Sequence, residues 1–150
     1  MDKLVFDKHH IHFNTEASTQ DEAFKAIAKA AYEAGFVADE ETYYKGLWER
    51  EQEATTGFQD GIAIPHSKNT TCLKPGIFLM KFKNAIEWNA LDNEPVHVAI
   101  ALTIPYDGGE QHLRILSKIA RKMINDDFRS ALKNSDDTDT LYGVIDAIEL

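Results

Sequence analysis

VHVAIALTI, residues 96–104, is almost wholly apolar and rich in β-branched side chains. A strand with one wet face alternates apolar and polar residues, whereas a near-continuous apolar run marks a strand covered on both faces. This run therefore predicts a central strand, and Pro105, Gly108 and Gly109 end it. Beyond the break, Leu113, Leu116, Ala120 and Met123 space an amphipathic helix over residues 110–125, with further helical segments at 127–133 and 138–148. Upstream, IFLMKF (77–82) reads as another strand, with residues 85–88 extending it past a turn at Lys83–Asn84. Residues 57–61 read as a turn region and 62–64 as a short buried strand. Thr19 and Glu22 fit a capping box. Phe24, Ile27, Ala28 and Ala31 continue that helix, and Gly35 stops it. Asp39 opens a second helix whose stripe runs Tyr43, Leu47, Arg50, and residues 9–13 suggest an edge strand. Helices interleaved with apolar strands predict the α/β class: a mixed β-sheet flanked by helices on both faces, in a single domain over residues 1–150.

Bulk properties narrow the function. The chain has 150 residues, with 25 acidic against 16 basic and a net charge of −9. It has no run of Lys and Arg, which argues against a nucleic-acid binder. Cys72 is the only cysteine, so no internal disulfide can form. No apolar run approaches the roughly 20 residues of a membrane span. The first ten residues lack the apolar core of a signal peptide. A soluble cytoplasmic protein is expected.

GIAIPHSK, residues 61–68, runs a buried strand straight into proline and histidine. A lone histidine there is more often a packing residue than a reactive one. Pro65 changes that weighting, because it removes a donor and restricts Ile64 to extended geometry, which gives His66 a set place. His112 falls in the first turn of the helix after residue 109, where the helix terminus favours a neutral imidazole able to donate. Arg50 breaks an apolar stripe, which suggests either an anion partner or a stem laid over the core. Two histidines and an arginine about a helix N-terminus suit a phosphoryl group. Neither G-x-x-x-x-G-K-[ST] nor G-x-G-x-x-G is present, so a nucleotide donor is not indicated.

TTGFQDGIAIPHSK (55–68) resembles the T-x-I-G-x-G-I-A-(I/V)-P-H signature of the type-2, or fructose–mannitol, enzyme IIA domains of the bacterial sugar phosphotransferase system. The likeness continues through IEWNALDNEPVHVAIALTIP (86–105) and HLRILSKIA (112–120). It implies that His66 is the phosphoryl acceptor, His112 the second active-site histidine and Arg50 the phosphate-binding arginine. It also implies a cycle without metal or cofactor. The phosphocarrier protein HPr would donate to His66. A IIB domain with a cysteine nucleophile would then accept, and a membrane IIC domain would couple transfer to sugar entry. Gln59 stands where the family has glycine. The alternatives are a regulatory relative using the same histidine and, from another class, a metal-dependent hydrolase. His9, His10 and His12 form H-H-x-H, in which His10 and His12 would share a strand face and could bind a metal. His97 reads as a core or edge histidine, and Cys72 lacks an activating pattern. Glu51 and Asp60 lie near enough in sequence to orient an imidazole, although acids in so acidic a chain usually face water.

Overall fold

The computed structural model describes residues 2–107 and 109–148. In chain order the strands are β1 (Ile11–Asn14), β2 (Gly57–Gln59), β3 (Ile62–Ala63), β4 (His66–Asn69), β5 (Gly76–Ile86) and β6 (Val96–Pro105). The helices are α1 (Gln20–Glu33), α2 (Glu40–Glu53), α3 (Gly109–Lys122), α4 (Asp126–Asn134) and α5 (Thr138–Asp146). The strands form one mixed sheet in the order β1-β5-β6-β3-β2, with β4 also paired to β6.

As expected of an unbroken apolar run, β6 is buried on both faces. Val98, Ile100, Leu102 and Ile104 join Ile115, Ile119, Phe128, Leu132, Leu141 and Ile145 of α3–α5, with Met123 just past the end of α3. Ala99 and Ala101 face Phe24, Ile27, Tyr43 and Leu47 of α1 and α2. Burying a large apolar side chain is worth about 1.5–3 kcal/mol, so each helical layer is held by several such contacts. The Tyr43 hydroxyl, fully buried, donates to the Leu102 carbonyl at 2.7 Å, which satisfies it and pins α2 to β6.

Helix ends follow the capping expectations. Thr19 accepts from the Glu22 N–H, while Glu22 reaches back to the Ser18 N–H, one residue earlier than a standard capping box. Gly35, at φ +81, ends α1 with Phe36 N–H on the Ala31 carbonyl and Gly35 N–H on that of Tyr32. Asp39 caps α2 through the Thr42 N–H.

Four local expectations are corrected. Residues 57–59 are strand, not turn: Asp60 (φ 59) and Gly61 (φ 79) make a two-residue hairpin turn of the kind that twists with its strands. No turn interrupts Lys83–Asn84, since β5 runs through to Ile86 with an irregular register against β6. His9 and His10 lie in a 3-10 turn (Lys8–His10) before β1, so the three histidines do not share a strand. His10 is buried against Phe78 and Phe36, its Nδ1 donating to the Ile77 carbonyl. His97 is exposed rather than in the core. The Gly61 carbonyl accepts from both His97 and Val98 N–H groups, and this bulge puts Val96 and Ala99 in one core layer while His97 faces out.

Candidate active site

His66 does not end a strand; it begins one. β3 and β4 lie along β6 with the same offset, Ile62 opposite Val98 and His66 opposite Leu102. Ile64 and Pro65 interrupt them because proline has no N–H for the ladder. The freed Ile64 peptide is used locally. Its N–H donates to the Thr56 carbonyl, and its carbonyl accepts from His66 Nδ1 at 2.8 Å. A carbonyl can only accept, so Nδ1 carries the proton and the lone pair of the neutral ring sits on Nε2.

His66 lines a cleft of about 300 Å³ with Arg50, Glu49 and Glu53 of α2 and Leu113 and Leu116 of α3. Arg50 is half-buried and donates to the Ala54 carbonyl at 2.9 Å, where a cation also suits the end of α2. Gly46 explains how α2 comes so close. A Cβ there would meet Ser67 Oγ and Asn69 Nδ2 of β4, so the missing side chain lets the helix settle on the strand and places Arg50, one turn on, at the cleft. His112 lies in the first turn of α3, one residue before Leu113. Its side chain falls outside the described residues.

Burial is the largest influence on His66 and lowers its pKa from the ordinary 6.5; Arg50 adds to this, while the Ile64 hydrogen bond, Glu51 and Glu53 oppose it. The ring is therefore neutral, and nucleophilic, at neutral pH. Burial likewise lowers His10 and His12. The unfolded chain takes up these protons first, so stability is complete above pH 6.5 and is lost as pH falls below it. The window that reports these three rings opens at pH 6.5 and runs downward. Urea midpoints measured across that window should fall with pH. A flat profile would contradict the burial of these three rings.

The other candidates lie elsewhere. Asp60 pairs with Arg129 and Lys133 at the hairpin turn. Burial pushes the Cys72 thiol up to about 11, which makes it a poor nucleophile. Among the described residues no group of three or more His, Cys, Asp or Glu gathers where a metal could sit. No described helix is long and apolar enough to cross a membrane. Two contributors escape a reading of the sequence. Gly46 has a signal, a glycine inside a helical stripe. Thr56, buried and hydrogen-bonded to Glu51 and Trp88, has none outside the family signature.

A family model described as phosphoenolpyruvate-dependent sugar phosphotransferase system, EIIA 2, matches residues 4–148. The chain belongs to this EIIA family. Its members are phosphotransferase components, and this one is a phosphoryl carrier of that system. The chain is 34% identical over 128 residues to the fructose-specific EIIA component of Haloferax volcanii, covering 85% of this chain and 83% of that one. Fructose-specific EIIABC components also match, and the EIIA chain spans about a fifth of their length. Among solved structures, the nitrogen regulatory protein IIA-Ntr of Neisseria meningitidis superposes with a TM-score of 0.86 at 21% identity, covering 95% of this chain and 97% of that one. The mannitol IIA in complex with phosphorylated IIB, from Escherichia coli, gives 0.78 at 15% identity, covering 94% and 96%. At such identities these two structures establish the shared fold.

Proposed function

We propose that in the cytoplasm His66 of this chain accepts the phosphoryl group, that Arg50 and His112 hold its oxygens, and that the flow runs from HPr to a IIB partner and on to sugar entry through IIC. The observation that carries this is the Nδ1–H bond to the Ile64 carbonyl, which leaves Nε2 as a nucleophile in an open cleft beside an arginine. Nε2 attacks phosphorus in line. The new N–P bond forms as the bond to the donor histidine breaks, and the donor ring recovers its electron pair. The receiving ring gains positive charge, which the Ile64 carbonyl stabilises through Nδ1–H. The second transfer runs the same way to a IIB cysteine. Both steps need in-line placement and charge stabilisation around the N–P bond that His66 makes and then gives up.

The testing experiment is single-turnover transfer from phosphorylated HPr, followed by a screen of IIB domains. Passage to IIB supports the transport role; acceptance without any IIB partner supports the regulatory one. Failure to accept phosphate would overturn the assignment.

Arg50 offers a sharper test. Its guanidinium is a planar fork that matches phosphoryl oxygens in pairs, and a lysine ammonium is not. Arg50→Lys keeps most of the stem and should slow transfer by at least about tenfold, roughly 1.4 kcal/mol of barrier. Melting temperature should change little. An unchanged rate would leave Arg50 as a cap on Ala54 alone.

A further inference from the structure

Glu51 does not face water, as acids in an acidic chain usually do. Half-buried at the end of α2, it grips Thr56 twice: Oε2 accepts from the Thr56 N–H at 2.8 Å and Oε1 from its hydroxyl at 2.6 Å. The same hydroxyl accepts from the indole N–H of Trp88, itself fully buried, at 3.1 Å. Because the indole can only donate, the hydroxyl proton is directed onto Glu51. Thr56, 7% exposed, is thereby locked on all its polar atoms, and its carbonyl is the one that receives the Ile64 N–H at 2.9 Å.

Ile64 lies in the gap where β3 and β4 leave the ladder, so its peptide depends on Thr56 on one side and serves His66 on the other. A connected path runs from the Glu51 carboxylate through Thr56 and the Ile64 peptide to His66 Nδ1. We propose that Glu51 is a positioning residue for His66, holding through Thr56 and Ile64 the ring orientation and the Nδ1–H form that expose Nε2 for phosphoryl transfer. It does not touch the phosphoryl group. The inference rests on the reading of His66 as acceptor, but its structural half concerns the resting ring.

Glu51→Leu keeps much of the side-chain bulk but offers Thr56 no acceptor, so both bonds to Thr56 are lost. Thr56→Val keeps the branched shape and removes the hydroxyl. Nitrogen-15 spectra of the unphosphorylated protein report which ring nitrogen of His66 carries the proton. Wild type should show Nδ1–H alone, and both variants a mixture. Misplacing a reacting group by about an ångström can cost up to roughly 100-fold, so transfer from HPr should slow by at least about tenfold in each. The double variant should be no slower than the worse single one, since the residues act as one unit. Melting temperature, measured alongside, separates loss of the fold from loss of positioning. Nδ1–H retained in both variants, with rates within twofold of wild type, would overturn the proposal. Wild-type protein that takes no phosphate at all would instead overturn the acceptor reading, and the tautomer spectra would still decide whether Glu51 sets the ring.

Discussion

His66→Ala should take no phosphate from phosphorylated HPr, while wild type takes a label that is lost in acid and survives alkali. That stability pattern belongs to a phosphoramidate, and only a nitrogen nucleophile makes one. The imidazole Nε2 of His66 has an unshared pair because Nδ1 donates to Ile64, and its pKa lies below the ordinary 6.5 chiefly through burial. Among the described side chains that line the cleft, it is the one neutral nitrogen nucleophile to combine those properties; Arg50 and Lys68 are cations and Asn69 is an amide. The substitution should leave the fold intact. The ring's hydrogen bond to Ile64 is worth about 0.5–1.5 kcal/mol, a modest part of a domain's usual 5–15 kcal/mol. Circular dichroism and melting on the same preparation should therefore resemble wild type. Normal labelling of the variant, or an acid-stable phosphoester on wild type, would sink the assignment.

His112→Ala should slow transfer by about 10²–10³, the usual cost of losing one aligned donor to developing charge. Labelling of His66 should still go to completion at long times. The argument is positional. His112 sits in the first turn of α3, and the next residue, Leu113, lines the His66 cleft although 67% exposed. The positive end of a helix disfavours a cationic ring and favours a neutral one that donates a single N–H. Such a group stabilises phosphoryl oxygens without competing as a base. Rapid-quench measurement of the first turnover separates this from weakened HPr binding, because saturating HPr would restore the rate only in the second case. A rate within twofold of wild type would remove His112 from the site.

The central strand, the helices on both faces and the caps at Thr19, Gly35 and Asp39 are legible in the sequence. They depend on hydrophobic period and on local backbone chemistry, both of which a sequence displays directly. The break before position 66 is legible for the same reason, since proline acts on its own φ, its own missing N–H and its immediate neighbour; that the ladder resumes at His66 instead of stopping there is not. The features that are not legible involve partners distant along the chain. The stretch at Lys83–Asn84 reads as a turn, yet β5 stays extended through it while its register against β6 shifts between Lys81 and Ile86. His97 reads as a core or edge histidine, yet it sits on the central strand and a bulge against Gly61 turns it out. His10 reads as a potential ligand, yet its ring stacks on Phe78 of β5 and is spent on the Ile77 carbonyl.

The sequence by itself determined the layered α/β class, the core faces and the likeness of the 55–68 signature to a phosphoryl-carrying family, because periodicity and short motifs are properties of neighbouring residues. Only the tertiary structure decided that β3 and β4 are one interrupted line along β6, and that Gly46 lets α2 bring Arg50 over β4. It also decided that Glu51 spends its carboxylate on Thr56 rather than on water. The physical reason is that a hydrogen bond or close approach depends on where two elements meet in space, and residues 51, 56, 64, 66 and 88 meet only after the sheet and helices have packed.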